Sequence, residues 1–204
     1  NNTWNVLQHG PVEKVAENLW RVEGSLPGMS LRRVMTIARR ADGRLVLHSA
    51  IALAETAMTE IEALGKPSFL LVPNAFHRLD APAYKKRYPD IVVLTPKGAR
   101  AKVSARVGVD GTYDDFPSDQ AVHLETLRGV KNGEGAMFVR SEDGETIVLN
   151  DVFFNMPSKP SDPLGWFFTT IMASAPGPRT SRLFKLLAVD DKNALREDLV
   201  RLSR

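Results

Sequence analysis

The chain has 204 residues, of which 43% are hydrophobic and 25% charged, an ordinary balance for a globular protein with room for a single domain over 1–204. It contains no cysteine, which excludes thiol nucleophiles, iron–sulfur clusters, cysteine zinc sites and disulfide frameworks. The net charge is only +3, from 27 basic and 24 acidic residues, and no face-forming basic run stands out to favour nucleic acid.

In chain order, Leu19-Trp20-Arg21-Val22 and Leu31 to Ile37 mix apolar and basic residues as half-exposed strands do. Asp42-Gly43 between apolar runs marks a hairpin, and Leu45-Val46-Leu47 is the returning strand, closed by His48-Ser49. Ala52 to Leu64 is rich in Ala, Leu, Glu and Met at helical spacing, and Gly65 stops it. Ser68 to Val72 and Asp90 to Leu94 are short apolar runs of the kind buried on both faces. Between and after them, Ala81 to Tyr88 and Gly98 to Arg106 read as helices. This βαβα order predicts a parallel stretch of sheet covered by helices.

Antiparallel β-structure is expected again over Gln120–Leu127, Gly135–Arg140 and Thr146–Leu149, the last two joined by a turn at Glu142-Asp143-Gly144-Glu145. Pro157 to Pro163 reads as a loop. Helices are expected around Leu164–Ala173, Arg179–Leu187 and Asp191–Leu202. The apolar group Leu164, Trp166, Phe167, Phe168, Ile171 and Met172 is a core face, with a pocket lid or dimer contact as the alternative.

Candidate chemistry sits where strands end. The junction Val72-Pro73-Asn74-Ala75-Phe76-His77-Arg78-Leu79-Asp80 leaves a buried strand and enters a helix, and ligands of open α/β sheets bind beyond such carboxyl ends. His48 closes one strand and Asp151 follows another, so His48, Asn74, His77, Asp80 and Asp151 are the pocket candidates if their strands are neighbours. Simpler roles stand beside each. Asn74 suits a tight turn, and Asp80 suits a helix cap. His48 or Ser49 suits a strand end that also caps the Ala52 helix, Asp151 suits backbone bonding, and Glu134 suits a loop acid. There is no G-x-S-x-G, G-x-x-x-x-G-K or G-x-G-x-x-G pattern, and no Ser stands in a recognisable nucleophile turn.

The segments "GRLVLHSAIAL", "PSFLLVPNAFHRLDAPAYKKRYPDIVVLTPKG" and "GETIVLNDVFFN" in this order resemble the metallo-β-lactamase fold. Within the metallo-hydrolase superfamily they are most similar to a divergent domain-of-unknown-function branch with a comparable Pro-Asn…His turn. The likeness runs from about Ala16 to Asn155 and implies a four-layer αββα sandwich, an α+β or α/β architecture. It also implies a hydrolase-like protein of open substrate, with a non-catalytic small-molecule- or protein-binding module as the alternative.

The resemblance brings an expected metal, zinc or another divalent ion, and here the residues depart from the family. The H-x-H-x-D-H run is replaced by Asn74-Ala75-Phe76-His77-Arg78-Leu79-Asp80, and no His follows His123 in a chain with only four. Asp151 matches the bridging Asp, so the metal ligands left are His77 and Asp151, fewer than the three protein groups even an open zinc site uses. A degenerate or absent metal site is the expectation. The partners expected are a small molecule and, through the apolar group around Trp166, a second copy of the chain. Asn1 to Trp4 shows no basic-then-apolar leader and no run approaches ~18 apolar residues, so a cytoplasmic location away from membranes is expected.

Overall fold

The computed structural model describes residues 3–156, 166, 170, 177–180 and 182–203. The expected loop Pro157–Pro163 and most of the expected helix Leu164–Ala173, with its apolar group, lie outside the described residues.

Seven strands form the first sheet in sequence order, β1 (Glu13–Ala16), β2 (Leu19–Leu26), β3 (Met29–Arg39), β4 (Leu45–His48), β5 (Pro67–Leu71), β6 (Val92–Thr95) and β7 (Gly111–Thr112). β1 to β4 run antiparallel, and β4 to β7 are parallel. The change falls where the connections change. A tight turn at Asp42-Gly43, with Gly43 at φ +82°, returns β3 into β4. The helices α1 (Glu55–Leu64), α2 (Ala81–Arg87) and α3 (Arg100–Ser104) carry the chain across the sheet thereafter.

A second sheet has the antiparallel order β10-β9-β8, from β8 (Val122–Thr126), β9 (Gly135–Ser141) and β10 (Gly144–Val148), and β11 (Phe154–Met156) pairs with β12 (Gly177–Arg179). The short strands β7, β11 and β12 are too brief to leave a period in the sequence. Helices Arg182–Leu187 and Lys192–Leu202 close the chain, the second capped by the Asp191 carboxylate accepting from the Asn193 and Ala194 amides.

Side-chain alternation sorts these elements into layers. Leu45, Leu47, Leu70, Val72 and Val93 pack on one face of the first sheet against Met58 and Ile61 of α1, Tyr84 of α2 and Val103 of α3. Their neighbours Val46, Phe69, Leu71 and Leu94 face the other way, onto Val122, Leu124, Met137 and Val139 of the second sheet. The far side of that sheet, Ala136 and Phe138, buries Phe184 and Leu195 of the two C-terminal helices. The order is helices, sheet, sheet, helices, the αββα sandwich. Continuous apolar runs in β4, β5 and β6 follow from that placement, because both faces of those strands are covered.

α1 begins three residues later than the periodicity predicts. The Ala52 amide is held by the Asp80 carboxylate at 3.1 Å and the Ala54 amide by His9 Nε2 at 3.0 Å, which keeps these residues out of the helix. Neither His48 nor Ser49 caps that helix, whose N-cap is Ala54 without a side-chain bond. Among the described residues no helix is long and apolar enough to cross a membrane.

Candidate functional site

The β5 exit loop organises the site. Asn74 is 3% exposed, and its Oδ1 accepts from the Phe76 amide at 2.8 Å and the His77 amide at 3.2 Å. This is the turn that Asn was expected to make. It also fixes which way the amide faces: the oxygen is spent on the turn, so Nδ2 points inward. There it donates to Glu134 Oε2 and to Asp151 Oδ2, each at 2.8 Å, using both of its hydrogens.

Glu134 reaches this point through a backbone clamp between the two sheets. The Gly135 amide, at the start of β9, donates to the Pro73 carbonyl at 2.8 Å, which places Glu134 beside Asn74. Only glycine fits at 135, since a Cβ there would lie 2.2 Å from the Tyr113 ring. Glu134 is 1% exposed, and its Oε1 accepts from the Asp151 amide at 3.1 Å. It is not the solvated loop acid its surroundings in sequence suggest. Burial, then the neighbouring Asp151 charge, push its carboxyl up to about 8, against bonds from Asn74 and from the 150 and 151 amides that pull the other way. Glu134 is therefore held largely protonated at neutral pH.

Asp151 stands in the turn after β10, and its carboxylate meets side chains rather than the backbone amides a strand-end role would use. Its Oδ1 lies 3.3 Å from His77 Nε2, and His77 Nδ1 lies 2.7 Å from Ser49 Oγ. With the proton on Nε2, the ring donates to Asp151 and accepts from the Ser49 hydroxyl, so one tautomer satisfies both neighbours. Ser49 follows β4 and has φ +54°, the one non-glycine residue with positive φ among those described. That conformation costs on the order of 1 kcal/mol and is held by the bond to His77 and by the Ser49 amide donating to the Leu71 carbonyl at 3.1 Å. The sequence shows no nucleophile turn at Ser49 because the strain comes from tertiary contacts rather than from flanking glycines.

His48 precedes it, fully buried, with Nε2 3.4 Å from Asn150 Nδ2 and, among the described residues, no hydrogen-bond partner for Nδ1. Burial, with the neighbouring His77 adding to it, pushes its pKa down to about 3 and keeps it neutral. The structure thus brings His48, Asn74, His77 and Asp151 to one place and adds Ser49, Glu134 and Asn150. Asp80 is set apart. It occupies the N-cap position of α2 but makes no cap bond; its carboxylate pairs with Arg33 Nη1 at 2.7 Å and accepts from the Ala52 amide. A cavity of about 300 Å³ lined by Tyr113, Phe116, Asp119 and His123 shares no residue with this cluster.

No family model matches the chain, and a search of curated proteins gave no match. Solved structures are similar in shape. A metallo-β-lactamase from Pontibacter korlensis, 14% identical, covers 97% of this chain and 100% of its own, with a TM-score of 0.55. The chain has the metallo-β-lactamase fold. A DIM-1 metallo-β-lactamase exposed to ceftazidime is 12% identical over 66% of this chain and 67% of its own, with a TM-score of 0.49. An Erythrobacter litoralis metallo-β-lactamase is 13% identical over 67% of this chain and 69% of its own, with a TM-score of 0.48.

The fold implies a metal, and the side chains gathered at this site among the described residues do not fit one. Among the described residues no three His, Cys, Asp or Glu side chains gather as a ligand set. The point between the two carboxylates, where a cation would offset their repulsion, is filled by the Asn74 Nδ2 group. An amide NH₂ has hydrogens and no lone pair to give a metal, and the Asn74 turn prevents it from flipping.

Proposed function

We propose that this protein is a hydrolase-like variant of the metallo-β-lactamase fold whose cleft works without a resident metal ion. The observation that carries this reading is the Asn74 amide, oriented by its own turn and donating to Glu134 and Asp151 together. A neutral donor pair takes over the bridging work of a cation. Protonation of Glu134 then lowers the negative charge that a cation would otherwise balance. The hydrolase-like part rests on the polar relay from Ser49 through His77 to Asp151 at the strand ends.

Metal analysis of protein prepared under generous zinc without chelator tests it. The expected outcome is a substoichiometric zinc content and hydrolysis of model esters that chelators leave unchanged. Asn74→Asp replaces the donor by a third carboxylate, and this variant is expected to gain divalent-cation binding by calorimetry. Stoichiometric zinc in the natural protein overturns the reading. A metal-free protein with no turnover of any ester leaves the binding module as the function of the cleft.

A further inference from the structure

We propose that Ser49 is a nucleophile, with His77 its general base and Asp151 the group that holds the imidazole, and that the substrate is an uncharged ester with an apolar acyl part. The proposal rests on the metal-free reading above and adds to it the reacting atom.

Three observations converge on Ser49. Its hydroxyl lies 2.7 Å from the ring nitrogen of His77, within the reach a base needs, and the opposite ring nitrogen faces a carboxylate at 3.3 Å. The residue sits directly after the buried strand β4 at φ +54°, a strained conformation of the kind kept at sites of chemistry. The Ala50 amide, next in the chain, makes no hydrogen bond among the described residues and is assigned to the oxyanion. Ser49 itself is 4% exposed and His48 fully buried, whereas His77 and Asp151 are half-buried, so the approach of substrate is assigned to the His77–Asp151 side. Phe76, next to His77 in the chain, and Phe153, two residues after Asp151, are 73% and 41% exposed, and this apolar surface is assigned to the acyl group.

In the reaction, Ser49 Oγ bonds to the ester carbonyl carbon as its proton passes to His77 Nδ1. The tetrahedral oxyanion collapses, the bond to the alcohol oxygen breaks, and that oxygen leaves with the proton from Nδ1. Water then attacks the acyl-serine and gives a proton to Nδ1. The carboxylic acid departs as Ser49 Oγ recovers that proton. Throughout, the Nε2 proton stays between His77 and Asp151.

The test uses an alkyl fluorophosphonate and p-nitrophenyl butyrate on the full chain. One phosphonylated peptide, containing Ser49, is expected by mass spectrometry, with fluoride released. Ser49→Gly keeps the fold, since glycine adopts φ +54° freely, and is expected to lose both the label and the hydrolysis. His77→Ala is expected to slow hydrolysis by ~10²- to 10⁴-fold. Asp151 is a positioning residue, so Asp151→Asn is expected to lower kcat with KM unchanged. Folded natural protein that takes no label, a label on another residue, or unchanged hydrolysis in Ser49→Gly overturns the proposal. Zinc content separates the two failures: metal-free protein without a label removes only the serine chemistry, whereas stoichiometric zinc removes the metal-free reading beneath it.

Discussion

Two buried carboxylates stand at the β5 exit loop, and they are neutralised in opposite ways. Asp80 faces a full positive charge, with the Arg33 guanidinium at 2.7 Å and both side chains under 10% exposed. Glu134 faces an amide, two backbone N–H groups and a like-charged neighbour, and it keeps its proton instead. Charge pairing makes the Asp80 side a rigid tie between β3, α2 and the segment before α1. Proton retention leaves the Glu134 side a cluster whose charge state changes with pH. The first arrangement suits a joint, the second a site of chemistry.

Removing one partner of the joint sharpens that contrast most. Arg33→Ala leaves Asp80 buried without its cation and is expected to cost ~3–5 kcal/mol in urea unfolding. The double change Arg33→Met with Asp80→Asn is expected to recover much of it, and a single change with no loss would break the comparison. On the other side, Asn74→Ala strips a donor from Glu134 and Asp151 at once. It is expected to cost ~1–3 kcal/mol and to raise the Glu134 carboxyl further, read by NMR titration.

The smallest effect is a slope. Glu134 is raised from 4.5 to about 8 in the folded chain, so its contribution is favourable below 4.5 and stability falls as pH rises toward 8. His48 is lowered from 6.5 to about 3, so its contribution is intact above 6.5 and is lost as pH falls toward 3. Each slope is at most ~1.4 kcal/mol per pH unit, and where the two overlap they oppose each other. Stability measured against pH is therefore expected to be flat from 4.5 to 6.5 and to fall on the alkaline side. Glu134→Gln is expected to flatten the alkaline limb and to turn the plateau between 4.5 and 6.5 into a rise with pH, the His48 slope then being unopposed; an unchanged limb would show that the carboxyl is not held protonated.

Much of the fold was legible because its signals are local. Continuous apolar runs announced β4, β5 and β6, Asp-Gly turns announced two hairpins, and the helical spacing after Ala52 announced α1. The Asn74 turn was legible for the same reason, since that side chain bonds its own loop. What escaped depends on distance along the chain. Glu134 follows Lys131-Asn132-Gly133 and reads as solvated, and only the clamp of Gly135 onto Pro73 buries it. Arg33 lies in a strand that mixes apolar and basic residues and reads as exposed, because Asp80 is 47 residues away. Ser49 carries no motif, since its positive φ is imposed by neighbours from β5 and its exit loop.

The borders of the large sheet have a consequence of their own. Its first strand is four residues long with a register break between Lys14 and Ala16, and its last, among the described residues, is two residues long. Neither margin presents a straight row of free amides and carbonyls on which a stranger's backbone could align, so seven strands can stand side by side without recruiting an eighth from another molecule and seeding a fibre.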